Sequence, residues 1–145
     1  MVLQDAWHYE SIIKESLRFW NLEASDEEIM EAAKVANIDH FILTLPGGYN
    51  MEMNQDSSNI SLGQKQLLTI ALAILANPKI LILDEATSSI DTRLELLIQK
   101  AMKGLMKGRN SFVIARCLST IQEANEILVL KDGQVIEQRN CESSL

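Results

Sequence analysis

The sequence predicts an α/β fold: a helical stretch, then a parallel strand–helix–strand core, then a C-terminal β-hairpin. Three observations carry the prediction. Ile80-Ile82 and Leu81-Leu83 form a continuous apolar run without alternation, the pattern of a parallel strand covered on both faces. Leu94, Leu97, Ile98, Ala101, Met102 and Leu105 recur at helical spacing directly behind it, a core-facing stripe. Asp132-Gly133 stands between two short apolar runs, and that pair tolerates the positive φ of a hairpin turn.

Each element has its own signal. From Ser11 to Phe19, Ile12, Ile13, Leu17 and Phe19 make a short amphipathic helix. Ser25-Asp26-Glu27-Glu28 is a capping box, because the Ser25 hydroxyl can accept from the third helical amide while Glu28 reaches back. The helix behind it puts Ile29, Ala33 and Ala36 on one face. A short helix over Asp39 to Leu45 is stopped by Pro46-Gly47-Gly48. Asn54 to Asn59 reads as a loop. Ser61-Leu62-Gly63-Gln64 is a second capping box, opening a helix over about Leu62 to Ala76 that is apolar nearly all round from Leu67 and therefore buried. Asn77-Pro78 ends it. The first strand covers Lys79 to Leu83, the next helix about Thr92 to Met106, and Ser111 to Ala115 is a second buried strand. A helical piece near Ile121 precedes the hairpin of Glu126 to Leu130 and Gln134 to Glu137.

Composition narrows the function classes. Across 145 residues, 20 acidic side chains outweigh 13 basic ones, a formal charge of -7 that argues against coating nucleic acid or an anionic membrane by bulk charge. Hydrophobic residues make up 47%, enough for a core. The longest wholly apolar stretch is Ile70 to Ala76, far short of the roughly 20 residues of a membrane span. Met1 to Asp5 has no basic start and no long apolar run, so it does not read as a signal peptide. Cys117 and Cys141 are too few for a disulfide framework, and His8 and His40 are too far apart in sequence for a metal cage.

Three short segments can carry chemistry. Asp84-Glu85 places two carboxylates at the carboxyl end of a strand, where ligands bind in open α/β sheets. Adjacent strand residues point opposite ways, so one can hold Mg²⁺ and the other an attacking water. The plainer alternative is an acidic pair capping the next turn. Ser61-Leu62-Gly63-Gln64 offers free amides at a helix start, a natural phosphate site, or else a simple cap. Ser88-Ser89-Ile90-Asp91, before the long helix, reads by itself as an N-cap and nothing more.

Taken in order, Ile60-Ser61-Leu62-Gly63-Gln64-Lys65-Gln66 and Leu81-Ile82-Leu83-Asp84-Glu85-Ala86-Thr87-Ser88-Ser89-Ile90-Asp91 closely resemble the ATP-binding cassette of ABC transporters. Met1 to Asp5 is similar to its Q-loop, and Ile127 to Gly133 to its terminal hairpin. The resemblance covers essentially the whole chain and is strongest to exporters with fused membrane domains. It implies a P-loop NTPase-like cassette fragment over 1–145, with a helical subdomain over about 5–59 and the signature helix, Walker B strand and remaining core over about 60–145. It implies ATP and Mg²⁺ as cofactors. Gln4 would be the Q-loop glutamine near Mg²⁺ and the γ-phosphate. Ser61, Leu62, Gly63 and Gln64 would bind the γ-phosphate of ATP held by an opposing cassette. Asp84 would sit at Mg²⁺, Glu85 would orient the attacking water, and Asp91 would belong to the D-loop. The partners implied are a second cassette, identical or not, and the transmembrane domains of an exporter, with no nucleic acid. The implied location is cytoplasmic, at the inner face of the cell membrane.

The sequence departs from that pattern in places. G-x-x-x-x-G-K-[ST], the loop that cradles the β- and γ-phosphates, occurs nowhere, and Gly47-Gly48 lacks the following Lys-Ser or Lys-Thr. In the family that loop lies before the Q-loop, so the chain is expected to start after it. The switch histidine falls at Arg116, which cannot act as a neutral acceptor. Cys117 takes a family arginine position, Leu62 a Gly or Gln position, and Leu72 an arginine position. Gln55, Ser57, Arg139 and Cys141 differ as well. These departures predict no tight ATP site and no hydrolysis in the chain by itself. They also predict a Ser111–Ala115 strand short of one partner, with marginal stability or self-association. Two other functions remain open: a non-catalytic module supplying its signature and D-loop to another cassette, and a decayed remnant.

Overall fold

A computed structural model of the chain describes residues 11–53, 60–84, 92–114 and 124–140. The chain divides into two compact units, Met1–Val113 and Ile114–Leu145.

The first unit is mostly helical. α1 (Ile13–Arg18) begins beside a short antiparallel bridge between Ile12 and Glu52. There the Ile13 amide donates to the Met51 carbonyl at 3.0 Å, and the Met53 amide to the Ser11 carbonyl at 3.2 Å. α2 (Asp26–Val35) starts on the expected capping box, with Glu28 N to Ser25 Oγ at 3.2 Å and Ser25 N to Glu28 Oε2 at 2.8 Å. It ends with Asn37 at φ 57, its amide on the Lys34 carbonyl and the Ile38 amide on the Ala33 carbonyl. That is a Schellman closure with asparagine in the left-handed position. α3 (Asp39–Thr44) gives way to Gly47 at φ 96 and Gly48 at φ 54, which turn the chain into a single 3₁₀ turn, Gly48–Asn50.

α4 (Leu62–Ala76) is the centre of the unit. It packs most extensively on α5 (Thr92–Met106), then on α2 and α1. Leu67, Leu68, Ile70 and Ala71 of α4 are buried with Ile13, Leu17, Ile29, Ile38, Ile42, Ile98 and Leu105. Each such Leu or Ile contributes about 1.5–3 kcal/mol by leaving water, which is why the apolar helix occupies the middle. Between α4 and α5 runs β1 (Ile80–Asp84), paired in parallel with β2 (Asn110–Ile114).

The second unit holds an antiparallel hairpin, β3 (Glu126–Lys131) and β4 (Gln134–Asn140). Asp132 at φ 51 and Gly133 at φ 77 form the turn, and both positive values fit a type I′ geometry. The register runs Lys131↔Gln134 and Leu130↔Val135, then jumps to Val129↔Glu137, so Ile136 is the extra residue of a bulge.

Several expectations need correction. β1 is not covered on both faces: Leu81 and Leu83 are buried, whereas Ile80 and Ile82 are 59% and 41% exposed. β2 is not a buried strand either, since Phe112 and Ile114 are 59% and 56% exposed. An apolar run encodes a capacity for two-sided burial, but the helices among the described residues cover one side only. Phe19 and Leu97 also lie further out than their spacing suggested, at 48% and 38%. The Asn54–Asn59 loop and the helical piece near Ile121 lie outside the described residues.

Candidate functional site

The Ser61 turn is built by local chemistry. Ser61 is extended (φ -67, ψ 158), and its Oγ accepts from the Gln64 amide at 3.3 Å. Gln64 Oε1 accepts from the Ser61 amide at 2.8 Å, and the Lys65 amide closes the first helical bond on the Ser61 carbonyl at 2.9 Å. The box orders Leu62, Gly63 and Gln64 in one turn. Leu62 and Gly63 sit at positions whose amides have no acceptor within a helix. Ser61 and Leu62 are exposed, Gly63 is buried, and no acidic side chain stands in this first turn. The first turn of this 15-residue helix therefore carries no acidic side chain of its own against the positive dipole end, a start that favours an anion.

Asp84 closes β1 at its carboxyl end. Strand alternation puts it on the same side as Ile80 and Ile82, and it is exposed as they are. It is thus an accessible hard oxygen donor. Mg²⁺ keeps several waters and uses one or two carboxylates together with phosphate oxygens, so this donor suits it. Among the described residues no group of three or more His, Cys, Asp or Glu side chains gathers. Gln4, Glu85, Asp91 and Arg116 lie outside the described residues.

Two titrating groups stand elsewhere in the unit. Lys14 Nζ binds Asp26 Oδ2 at 2.9 Å and Arg18 binds Oδ1, and with Lys14 as the main cause the Asp26 carboxyl is held below its usual value. Tyr49 Oη donates to Asp39 Oδ1 at 2.7 Å, and burial together with that carboxylate pushes the phenol upward. Both tie helices together.

A serine-capped helix start and an exposed carboxylate at the end of a parallel strand thus belong to the same unit. Residues 1–88 match the ABC transporter family, and the chain belongs to it. It is 54% identical over 140 residues to a fatty acid ABC transporter ATP-binding/permease protein of Mycobacterium bovis, covering 97% of this chain and 22% of that protein. It is 53% identical over 137 residues to an uncharacterised ABC transporter ATP-binding protein of Bacillus subtilis, covering 94% and 23%. The fold is similar to that of a bacterial Atm1-family ABC exporter with ATP bound, with a TM-score of 0.83 and 38% identity over 96% of this chain and 24% of that one. The chain thus spans about a quarter of the length of the proteins it matches.

Sequence reasoning read Asn77 only as a helix end and missed its link to Arg109, which joins the ends of α4 and α5. Two polar residues 32 positions apart leave no periodic signal.

Proposed function

We propose that this chain is part of the ATP-binding subunit of an ABC exporter, supplying the signature and Walker B sides of a shared nucleotide clamp. The observation that carries this is the Ser61 box at the start of α4, a helix with no acidic side chain in its first turn, in a chain that also ends β1 on an exposed Asp84. On this reading Ser61, Leu62, Gly63 and Gln64 face the γ-phosphate of ATP held by a second cassette. Asp84 holds Mg²⁺, and Glu85 orients water. Gln4 senses the metal and Asp91 lines the cassette interface. ATP and Mg²⁺ supply the reactive phosphate and the charge that polarises it. The subunit works at the inner face of a membrane, coupled to transmembrane domains. Among the described residues no helix is long and apolar enough to cross a membrane.

The P-loop pattern is not present in these 145 residues and Arg116 stands at the switch histidine position. The chain by itself therefore holds ATP weakly and does not hydrolyse it. The test is calorimetric titration of Mg·ATP into two proteins. One is the chain itself. The other is a graft in which the chain replaces the matching segment of the Bacillus subtilis relative. The graft is expected to bind with Mg²⁺ dependence that Asp84→Asn removes, while the chain alone shows no saturable binding at micromolar ATP. Tight binding to the chain alone, or a graft indifferent to Asp84→Asn, would overturn the proposal.

A second reading keeps the same residues but makes the chain a module acting in trans on another cassette. It is favoured by the Ser61 turn, which serves a partner's nucleotide and needs no P-loop of its own. Adding the chain to the intact relative would then change its ATPase rate, and an unchanged rate at saturation would remove this reading.

A further inference from the structure

The guanidinium of Arg109 joins two helix ends. Its Nη2 donates to Asn77 Oδ1 at 2.7 Å, its Nη1 donates to the Leu105 carbonyl in the last turn of α5, and its amide donates to the Met106 carbonyl at 3.0 Å. Asn77 is the residue that closes α4, in the left-handed conformation (φ 44, ψ 51). The last turn of α4 has no basic side chain of its own to face its negative end. Arg109 brings one from 32 residues away. A planar fork with several fixed donors can serve two acceptors together, which a lysine cannot do in the same way.

The position of this staple matters more than its strength. Asn77 leads through Pro78 into β1, and Arg109 directly precedes β2. The staple therefore sits where both strands begin, at the end of α4 opposite the Ser61 turn. A 15-residue helix spans about 22 Å as a stiff rod, so a shift at one end is carried to the other.

We propose that Arg109 is a positioning residue which, through Asn77, fixes the axial register of α4 against α5 and so sets where the Ser61–Gln64 turn stands. Its consequence for phosphate rests on the reading of that turn given above, whereas the staple rests on geometry alone.

The test is a spin-label distance measurement in the 145-residue chain, without nucleotide. Labels go on Leu62→Cys in α4 and Leu96→Cys in α5, positions that are 51% and 62% exposed, in a background with Cys117 and Cys141 replaced by serine. The parent should give one narrow distance distribution. Arg109→Met and Asn77→Gly should each broaden it, as expected when a helix end is released from its partner. Arg109→Lys should recover part of the narrowing. Asn77→Gly keeps the left-handed turn while it removes the acceptor, so it reads the loss of the staple if Arg109→Met does not fold. Unchanged widths in the folded variants, even with a lowered melting temperature, would reduce Arg109 to an ordinary stabilising contact and overturn the proposal. That result would leave the nucleotide reading standing, and failure of the graft to bind ATP would leave the staple standing.

Discussion

Ser25 and Ser61 build the same capping box at the start of two helices, and only one of the two is assigned to phosphate. This allows stability and function to be separated by matched substitutions. In each box the serine oxygen accepts from one otherwise unpaired amide, Glu28 N at 3.2 Å and Gln64 N at 3.3 Å. Replacing either serine by alanine removes that acceptor and should cost about 1 kcal/mol, a fall of about 2–4 °C in melting temperature for a chain of this size. Aspartate keeps an acceptor and adds a negative charge at the positive helix end, worth about 0.3–1 kcal/mol where nothing opposes it. Nothing acidic opposes it in the first turn of α4, so Ser61→Asp should match or exceed the parent in stability. Asp26, Glu27 and Glu28 crowd the first turn of α2, so Ser25→Asp should gain nothing. Thermal melts by circular dichroism read these four values. In the graft, Ser61→Asp should abolish ATP-dependent pairing of cassettes by setting a carboxylate against the triphosphate, and neither Ser25 variant should affect it. A Ser61→Asp chain less stable than Ser61→Ala would refute the capping argument. A Ser61→Asp graft that still pairs on ATP would refute the assignment of that turn to phosphate.

Other predictions follow from the packing and the charges. The lowered Asp26 carboxyl contributes stability that is fully present above its unfolded value near 3.8 and is lost as pH falls through the lower folded value. The urea midpoint should therefore drop more between pH 7 and pH 3 in the parent than in Asp26→Asn, and equal drops would contradict this. Phe112→Lys should weaken concentration-dependent self-association in sedimentation, because it charges the exposed side of the β1–β2 pair, and an unchanged profile would place the contact elsewhere. Leu105→Ala removes a fully buried side chain and should cost about 2–5 kcal/mol in chemical denaturation, whereas a cost under about 1 kcal/mol would mean that the site is not packed.

Much of this molecule was legible because its signals are local. Both capping boxes, the bounds of α4 and α5, and the Asp132-Gly133 turn depend on side chains within a few residues of the backbone they organise. The apolar runs of β1 and β2 pointed to burial on both faces, since Ile80, Ile82, Phe112 and Ile114 state what a strand can bury and not what stands over it, whereas the missing P-loop strand pointed to the uncovered faces these residues show. The bulge at Ile136 escaped for a related reason, as the register of a hairpin away from its turn depends on both strands at once. The Lys14–Asp26 pair and the Arg109–Asn77 link joined surface polar residues across α1, α2, α4 and α5, and such pairs have no pattern along the chain. For the candidate site, residue order pointed to Ser61–Gln64 and Asp84, while geometry added that the capping box is formed, that Ser61 and Leu62 are exposed and that the carboxylate is accessible.

The central proposition is that this chain forms one side of a clamp closed by nucleotide. Sedimentation velocity of the graft, with and without Mg·ATP, tests it most directly. A shift from monomer to dimer on adding Mg·ATP, reversed when Mg²⁺ is chelated, is the predicted result. A graft that is folded and binds Mg·ATP yet stays monomeric at every concentration would contradict it.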